Sequence, residues 1–148
     1  MINANNLKIC FQPWDKAQPF CYLIREKVFI NEQRVSPQLE WDKFDLKAIH
    51  GILSTNNLVI GCARIVTANG EVKLERMAIL KNYRLKGFGS FFLNQIILYI
   101  KNEISNTVHI SAQVSAIPFY KKHGFKITSK TYIEAGIKHQ AMTLDITQ

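Results

Sequence analysis

Arg84, Gly87 and Gly89 stand in the order Arg-x-x-Gly-x-Gly, with Lys86 inside the motif and Lys81 just ahead of it. These residue types suit a diphosphate. Glycine lets the backbone approach an anion closely, the first free N–H groups of a following helix point at it, and the helix dipole adds attraction. An apolar strand-like run, Leu74 to Leu80, leads into the motif, and an apolar helical stretch, Phe88 to Ile100, leads out. The spacing excludes two other phosphate loops. A dinucleotide fingerprint needs Gly-x-Gly-x-x-Gly with a later acidic residue, and a Walker loop needs Gly-Lys-Ser/Thr. The bare motif is a weak signal, because a surface turn with a helix cap and solvated cations carries the same residues.

The elements that position this turn follow from periodicity. Leu7 to Gln12 alternates and reads as an edge strand stopped by Pro13. Ala17 to Asn31 reads as a helix with Cys21, Ile24, Val28 and Phe29 on one stripe and Arg25, Glu26 and Lys27 partly outward. Gln33 to Phe44 is expected as a loop. Ala48 to Ser54 and Leu58 to Thr67 read as strands joined by Thr55-Asn56-Asn57, and Ala68-Asn69-Gly70 turns the chain into a strand from Glu71 to Leu80. After the glycine turn come a helix to about Asn102 and a strand from Thr107 to Val114. A short helix follows from Ser115 to His123, with Ser115 as N-cap and Gly124 as its stop, and then closing strands Phe125 to Ile133 and Gln140 to Ile146. The order β-α-β-β-β-α-β-α-β-β predicts an α/β sandwich, its strand–helix–strand unit from Glu71 to Val114 forming a right-handed parallel crossover.

With 148 residues, 47% hydrophobic and 20% charged, the chain reads as one soluble globular domain over 1–148. A net charge of +8 suggests an anionic partner. The cations are dispersed over loops and helix ends, with no basic helix or aromatic platform, which argues against nucleic acid. Cys10, Cys21 and Cys62 are scattered, odd in number and without a Cys-x-x-Cys pair, so neither zinc site nor disulfide framework is expected, and no metal. Met1 to Leu7 is polar, unlike a signal peptide, and no apolar run is long enough to span a membrane, so a reducing, cytoplasmic location is expected.

From Leu7 onward the chain resembles the GNAT superfamily of acyl-CoA-dependent N-acyltransferases. Arg84-x-x-Gly87-x-Gly89 is similar to the family's pyrophosphate loop after its fourth strand. Ser115-Ala116-Ile117-Pro118-Phe119-Tyr120-Lys121-Lys122-His123-Gly124-Phe125 is similar to its Phe-Tyr-x-x-x-Gly-Phe segment after the fifth. The two at this separation are far more specific than either alone. The segment Ile24 to Gln33, then Glu40-Trp41-Asp42-x-x-Asp45 and Glu134-Ala135-Gly136-Ile137-x-His139-x-x-Met142, are similar to the small bacterial ElaA/YjcF-like acetyltransferases. The resemblance implies a GNAT-like mixed central sheet of about seven strands, with helices on both faces and splayed parallel fourth and fifth strands. It also implies acetyl-CoA as cosubstrate and names a reaction rather than an acceptor.

On that resemblance, Met77, Ala78 and Ile79 hold the pantetheine by main-chain hydrogen bonds. Gly87, Phe88, Gly89 and Ser90 cradle the diphosphate through N–H groups, with Arg84, Leu85 and Lys86 closing around it. Lys121 and Lys122 could reach the adenosine 3′-phosphate, although a solvated helix face explains them as well. Tyr120 is the catalytic candidate. Acyl transfer to an amine expels a thiolate, and a thiol with a reference pKa of about 8.5 is usefully protonated by a positioned phenol of pKa about 10. By spacing alone Tyr120 would be a buried aromatic beside Phe119 and Phe125. Glu75 is the first candidate for the base, placed by alternation on the face of Met77 and Ile79; Glu32 is second. His139 and His50 follow, though a lone histidine is more often structural. Glu32, Glu40, Asp42 and Asp45, with His139, are expected to orient a cationic amine, against the plainer reading of a solvated acidic loop.

The expected reaction is transfer of acetyl from acetyl-CoA directly to a primary amine of a small molecule or protein. An acyl-homoserine-lactone synthase shares the general fold, and Glu40-x-Asp42-x-x-Asp45 fits its pattern, but the clear Arg-x-x-Gly-x-Gly loop and the short chain do not. A non-catalytic CoA-binding domain is a third reading, against which Tyr120 speaks. A homodimer through C-terminal edge strands would suit the family's habit.

Overall fold

A computed structural model describes residues 3–147. Its strands are β1 Leu7–Pro13, β2 Ile49–Thr55, β3 Leu58–Ala68, β4 Glu71–Ile79, β5 Thr107–Gln113, β6 Lys126–Ile127, β7 Tyr132–Glu134 and β8 Ile137–Asp145. They form one 8-stranded sheet ordered β1-β2-β3-β4-β5-β8-β6, with β7 also paired to β8. The pairing is antiparallel except between β4 and β5. Two-residue turns with positive φ drive the hairpins: Asn56 (50°) with Asn57 (65°), Asn69 (54°) with Gly70 (77°), and Ala135 (51°) with Gly136 (76°).

Helices cover both faces. Helix α3, Phe88–Glu103, buries Phe92, Leu93, Ile96 and Ile100 against Leu53, Ile65, Leu74, Val108 and Ile110 of the sheet. Helix α4, Ile117–Lys122, adds Ile117 to the same core. On the other face α1, Trp14–Arg25, sets Ala17, Cys21 and Ile24 against Ile52, Cys62 and Ala78. Every stripe residue expected to face inward, Cys21, Ile24, Val28 and Phe29, is buried.

Five local expectations are corrected. The first helix is not uniform, because after Arg25 it widens into a π-helical segment, Glu26–Glu32. Arg25 is not outward but 1% exposed. The loop from Gln33 contains a short helix α2, Pro37–Glu40, and a 3-10 turn Lys43–Lys47 capped by Asp42, which accepts from Phe44 N–H at 3.0 Å. Ser115 does not cap α4, whose N-cap is Ala116 without a side-chain bond, after a 3-10 turn Val114–Ala116. The closing strand is also divided, which raises the strand number to eight. At the break Ser129 Oγ accepts the Ala141 N–H at 2.9 Å, and this side-chain acceptor takes the place of a strand carbonyl.

The feature that most shapes the site is a bulge in β4. Cys62 pairs with Ala78 but Arg64 pairs with Glu75, so Ala63 opposes both Arg76 and Met77. Arg76 adopts φ +52°, a left-handed conformation costing a non-glycine residue about 1–2 kcal/mol. The extra residue reverses the alternation. Leu74, Met77 and Ile79 pack toward the α3 core, whereas Glu75 turns to Arg64 on the opposite face. Glu75 therefore does not share the face of Met77 and Ile79.

Candidate active site

Strands β4 and β5 pair only at Lys73↔His109 and Leu74↔Ile110. Beyond these rungs they diverge, and the wedge opens into a cavity of about 590 Å³. Met77, Gln113, Tyr120 and His139 line it, together with Glu40, Asp42 and Glu75. Leu80 N–H donates to Ile60 O on β3 at 2.8 Å, so the adjacent Ile79 turns its peptide groups toward the wedge. Gln113 Nε2–H donates to Gln33 Oε1 at 2.7 Å, tying the end of β5 to the chain just after the π-helical segment.

The glycine turn lies at the end of β4. Leu85 (φ 61°) and Gly87 (φ 92°) are left-handed within a loop whose other residues are not, a backbone form that gathers N–H groups into an anion-binding concavity. Leu85 is fully exposed, so packing does not explain its strained backbone. Gly87 is the N-cap of α3 and offers no side-chain cap, leaving the first-turn N–H groups for another acceptor. A Cβ at Gly89 would meet only Phe119, at 3.5 Å, an ordinary contact. The protein's own packing does not require that glycine. The turn thus fits a diphosphate by donor set and by clearance.

Arg84 is used differently from expectation. Its Nε–H donates to Ile79 O at 2.8 Å, and its two terminal nitrogens donate to Glu32 at 2.6 and 2.8 Å. The residue joins the π-helical segment to the end of β4 instead of closing over the turn. Hydrogen bonding to Arg84 holds the Glu32 carboxyl below the usual range. Ser90, on the first turn of α3, lies 3.1 Å from His123 Nε2, whose other ring nitrogen meets Asn94 Oδ1 at 3.1 Å. Desolvation first, then Lys122, push His123 toward its neutral form.

Tyr120 projects from α4 into the wedge. Its hydroxyl lies 3.9 Å from Met77 Sδ, and its ring packs edge-on against Phe119 and Phe125. Burial pushes the phenol up to about 12, so it stays protonated as a hydrogen donor. The packing role and the position at the cavity coexist in one side chain.

The acidic segment forms an ordered network with three arginines. Arg25 Nε–H donates to Glu40 Oε2 and its Nη1–H to Asp45 Oδ1, both at 2.7 Å, with the guanidinium 4.8 Å from the Trp41 ring centre. Arg64, 2% exposed, donates to Asp42 at 2.6 Å, Asp45 at 3.0 Å and Glu75 at 3.0 Å. Arg76 Nη2–H donates to Asp42 Oδ2 at 3.3 Å, and its Nε lies 3.0 Å from Glu40 Oε2 without an aligned N–H bond. Burial pushes the Asp42 carboxyl up, but Arg64 and Arg76 outweigh it and hold it below its usual range. Burial prevails at Glu40, whose carboxyl is pushed up against the pull of Arg76 and Arg25. Glu40 and Asp45 are thus interior ion-pair partners, while Asp42 and Glu75 sit at the cavity edge. Three guanidiniums meet four carboxylates, a surplus of one negative charge when all are ionised.

The GNAT acetyltransferase domain model matches residues 26–146. The chain belongs to the GNAT acetyltransferase family. It is 32% identical over 125 residues to the uncharacterized N-acetyltransferase YjcF of Bacillus subtilis, covering 84% of this chain and 89% of that protein. The crystal structure of Escherichia coli ElaA superimposes with a TM-score of 0.83 at 20% identity, covering 94% of this chain and 99% of that one. A GNAT family acetyltransferase from Elizabethkingia anophelis with acetyl-CoA bound gives 0.70 at 19% identity, covering 95% and 99%. Among the described residues no helix is long and apolar enough to cross a membrane, and no group of three or more His, Cys, Asp or Glu could hold a metal ion.

Within this GNAT domain, the sequence-predicted residues fall into three places. Met77, Ala78 and Ile79 flank the wedge, Arg84 to Ser90 form the turn, and Tyr120, Glu75, Asp42, Glu40 and His139 line one cavity. Glu32 stands apart on Arg84, and Asp45 lies beneath the cavity on Arg25 and Arg64. A polar cluster escaped sequence reasoning: Ser111 of β5 bonds Tyr132 and Glu134 of β7, and Glu134 reaches His139 of β8. Glu134 and His139 stand in the segment that carries the subgroup resemblance, and alternation puts Tyr132 and Glu134 on one face, but nothing in the spacing joins them to Ser111.

Proposed function

We propose that this GNAT domain transfers acetyl from acetyl-CoA directly to a primary amine of a small molecule or protein. The observation that carries the reading is the meeting, at one splayed strand pair, of an uncapped helix start, free strand backbone and a buried phenol. Gly87, Phe88, Gly89 and Ser90 receive the diphosphate on their N–H groups, and Lys86 adds charge beside them. Arg84 and Leu85 fix the loop's shape. The Ile79 N–H faces the wedge, where the pantetheine arm takes the place of a strand, with Met77 and Ala78 beside it.

Direct transfer forms a C–N bond at the thioester carbonyl and breaks the C–S bond. Tyr120 gives its proton to the departing thiolate and is a general acid. The surplus negative charge of the acid–arginine network favours a cationic amine in the cavity, with Asp42 and Glu75 the members at its edge.

The test is release of free CoA thiol from acetyl-CoA across a panel of primary amines and amine-bearing peptides. Wild type is expected to release thiol with at least one acceptor. Tyr120→Phe is expected to lower kcat by roughly 100-fold or more with acetyl-CoA affinity unchanged. Release by carrier-protein thioesters and not by acetyl-CoA would contradict the reading.

A further inference from the structure

The carboxylates first suited to serve as a base are all engaged by arginines. Glu32 is held by both terminal nitrogens of Arg84. Glu75 Oε2 receives two N–H groups of Arg64, and Asp42 is bonded by Arg64, Arg76 and the Phe44 N–H. Glu40 and Asp45 are buried on Arg25.

His139 is placed differently. It lies on β8 opposite Gln113, at the mouth of the wedge, and lines the same cavity as Tyr120. Its Nδ1–H donates to Ile137 O at 2.7 Å, which leaves the Nε2 lone pair without a donor. Glu134 Oε2 lies 3.6 Å from that Nε2, beyond hydrogen-bond length but close enough for strong charge attraction. Carboxylate and lone pair gain nothing from each other until Nε2 takes a proton. Glu134 is steadied by Ser111 Oγ–H at 3.3 Å, and its side chain is 56% exposed. The Tyr132 ring lies nearly parallel to the imidazole, at 6.0 Å between centres.

We propose that His139 Nε2 is the general base that takes a proton from the acceptor ammonium, and that Glu134 positions and relays it to solvent. This rests on the acetyl-transfer reading above. The ammonium gives one proton to Nε2, and the neutral amine attacks the thioester carbonyl. The C–N bond forms, the C–S bond breaks, and Tyr120 protonates the thiolate. The second proton shed by the nitrogen restores the phenol, so one proton ends on sulfur and one leaves through Glu134. The titratable groups in contact with the imidazole are Glu134 and Tyr132. Those sharing the cavity from other elements include Tyr120 of α4, Glu75 and Arg76 of β4 and His109 of β5.

The test compares wild type, His139→Gln and Glu134→Gln in kcat/KM against pH with one amine, with acetyl-CoA affinity measured alongside. His139→Gln is expected to lower kcat/KM by about 100-fold or more and to remove its ionisation from the acid limb, with acetyl-CoA affinity unchanged. Glu134→Gln, on an exposed side chain, is expected to retain the fold and to lower kcat with acetyl-CoA affinity unchanged. Imidazole nitrogen NMR of the free wild type is expected to show His139 as the Nδ1–H tautomer. Wild-type turnover and acid limb preserved in His139→Gln, or an Nε2–H tautomer, would overturn the base assignment and leave acetyl transfer standing. Wild type that binds acetyl-CoA and releases no thiol with any amine would overturn both.

Discussion

Tyr120 unites two demands on one side chain. Its ring belongs to the cluster with Phe119 and Phe125, and its hydroxyl reaches Met77 across the wedge. Burial raises the phenol to about 12 from an ordinary value of about 10. The folded state therefore binds the proton more tightly than the unfolded chain. That contribution to stability is complete below about pH 10 and is lost as pH rises toward 12. Urea unfolding midpoints should fall across this window in wild type, and less in Tyr120→Phe. At Glu32 the sign is opposite. Hydrogen bonding to Arg84 depresses its carboxyl, so the pair contributes above the ordinary carboxylate range and weakens as the carboxyl protonates in acid. Both side chains are about one-third exposed, so Glu32→Gln should cost under about 1 kcal/mol in urea unfolding at neutral pH. Spacing alone reads Tyr120 as a buried aromatic beside Phe119 and Phe125; it stands out as a candidate through the family resemblance of its compact Phe-Tyr-x-x-x-Gly-Phe segment. The true partner of Arg84 was not legible: Glu32 lies 52 residues away and meets it only after folding.

At the scale of elements, Arg25 joins α1 to the acidic segment. It was misassigned as outward because helical periodicity reports which face is buried, not whether a buried position carries charge. Its acids follow at separations of 15 and 20 residues, too far for helical spacing to show. Removing one partner from a buried ion pair strands the others and costs about 3–5 kcal/mol. Arg25→Met should therefore lower the melting temperature by roughly 6–20 °C, measured calorimetrically. A shift under about 2 °C would show that the network contributes little. The β4 bulge was hidden in the same way. Strict alternation placed Glu75 beside Met77 and Ile79, whereas one extra residue at Arg76 turns it to Arg64. Bulges leave a weak sequence signal, and here the left-handed position is occupied by arginine, held by Glu40 and Asp42, instead of glycine.

For the whole molecule, strand and helix order was readable because most elements carry a clear two- or 3.6-residue apolar repeat. The closing segment was less so, since a serine side chain interrupts its pairing and divides it. The wedge itself follows from topology: β4 and β5 share two rungs and then part, and the turn that begins α3 lies where they have separated. The central claim is that this turn receives the diphosphate of acetyl-CoA. Calorimetric titration of acetyl-CoA into wild type and Gly89→Glu tests it most directly. A side chain at Gly89 makes only an ordinary contact with Phe119, and a carboxylate in the first turn suits the helix dipole, so the variant should fold as stably as wild type. The account predicts saturable binding by wild type and its loss in Gly89→Glu with an unchanged melting temperature. Undiminished binding in Gly89→Glu, or none in wild type, would contradict it.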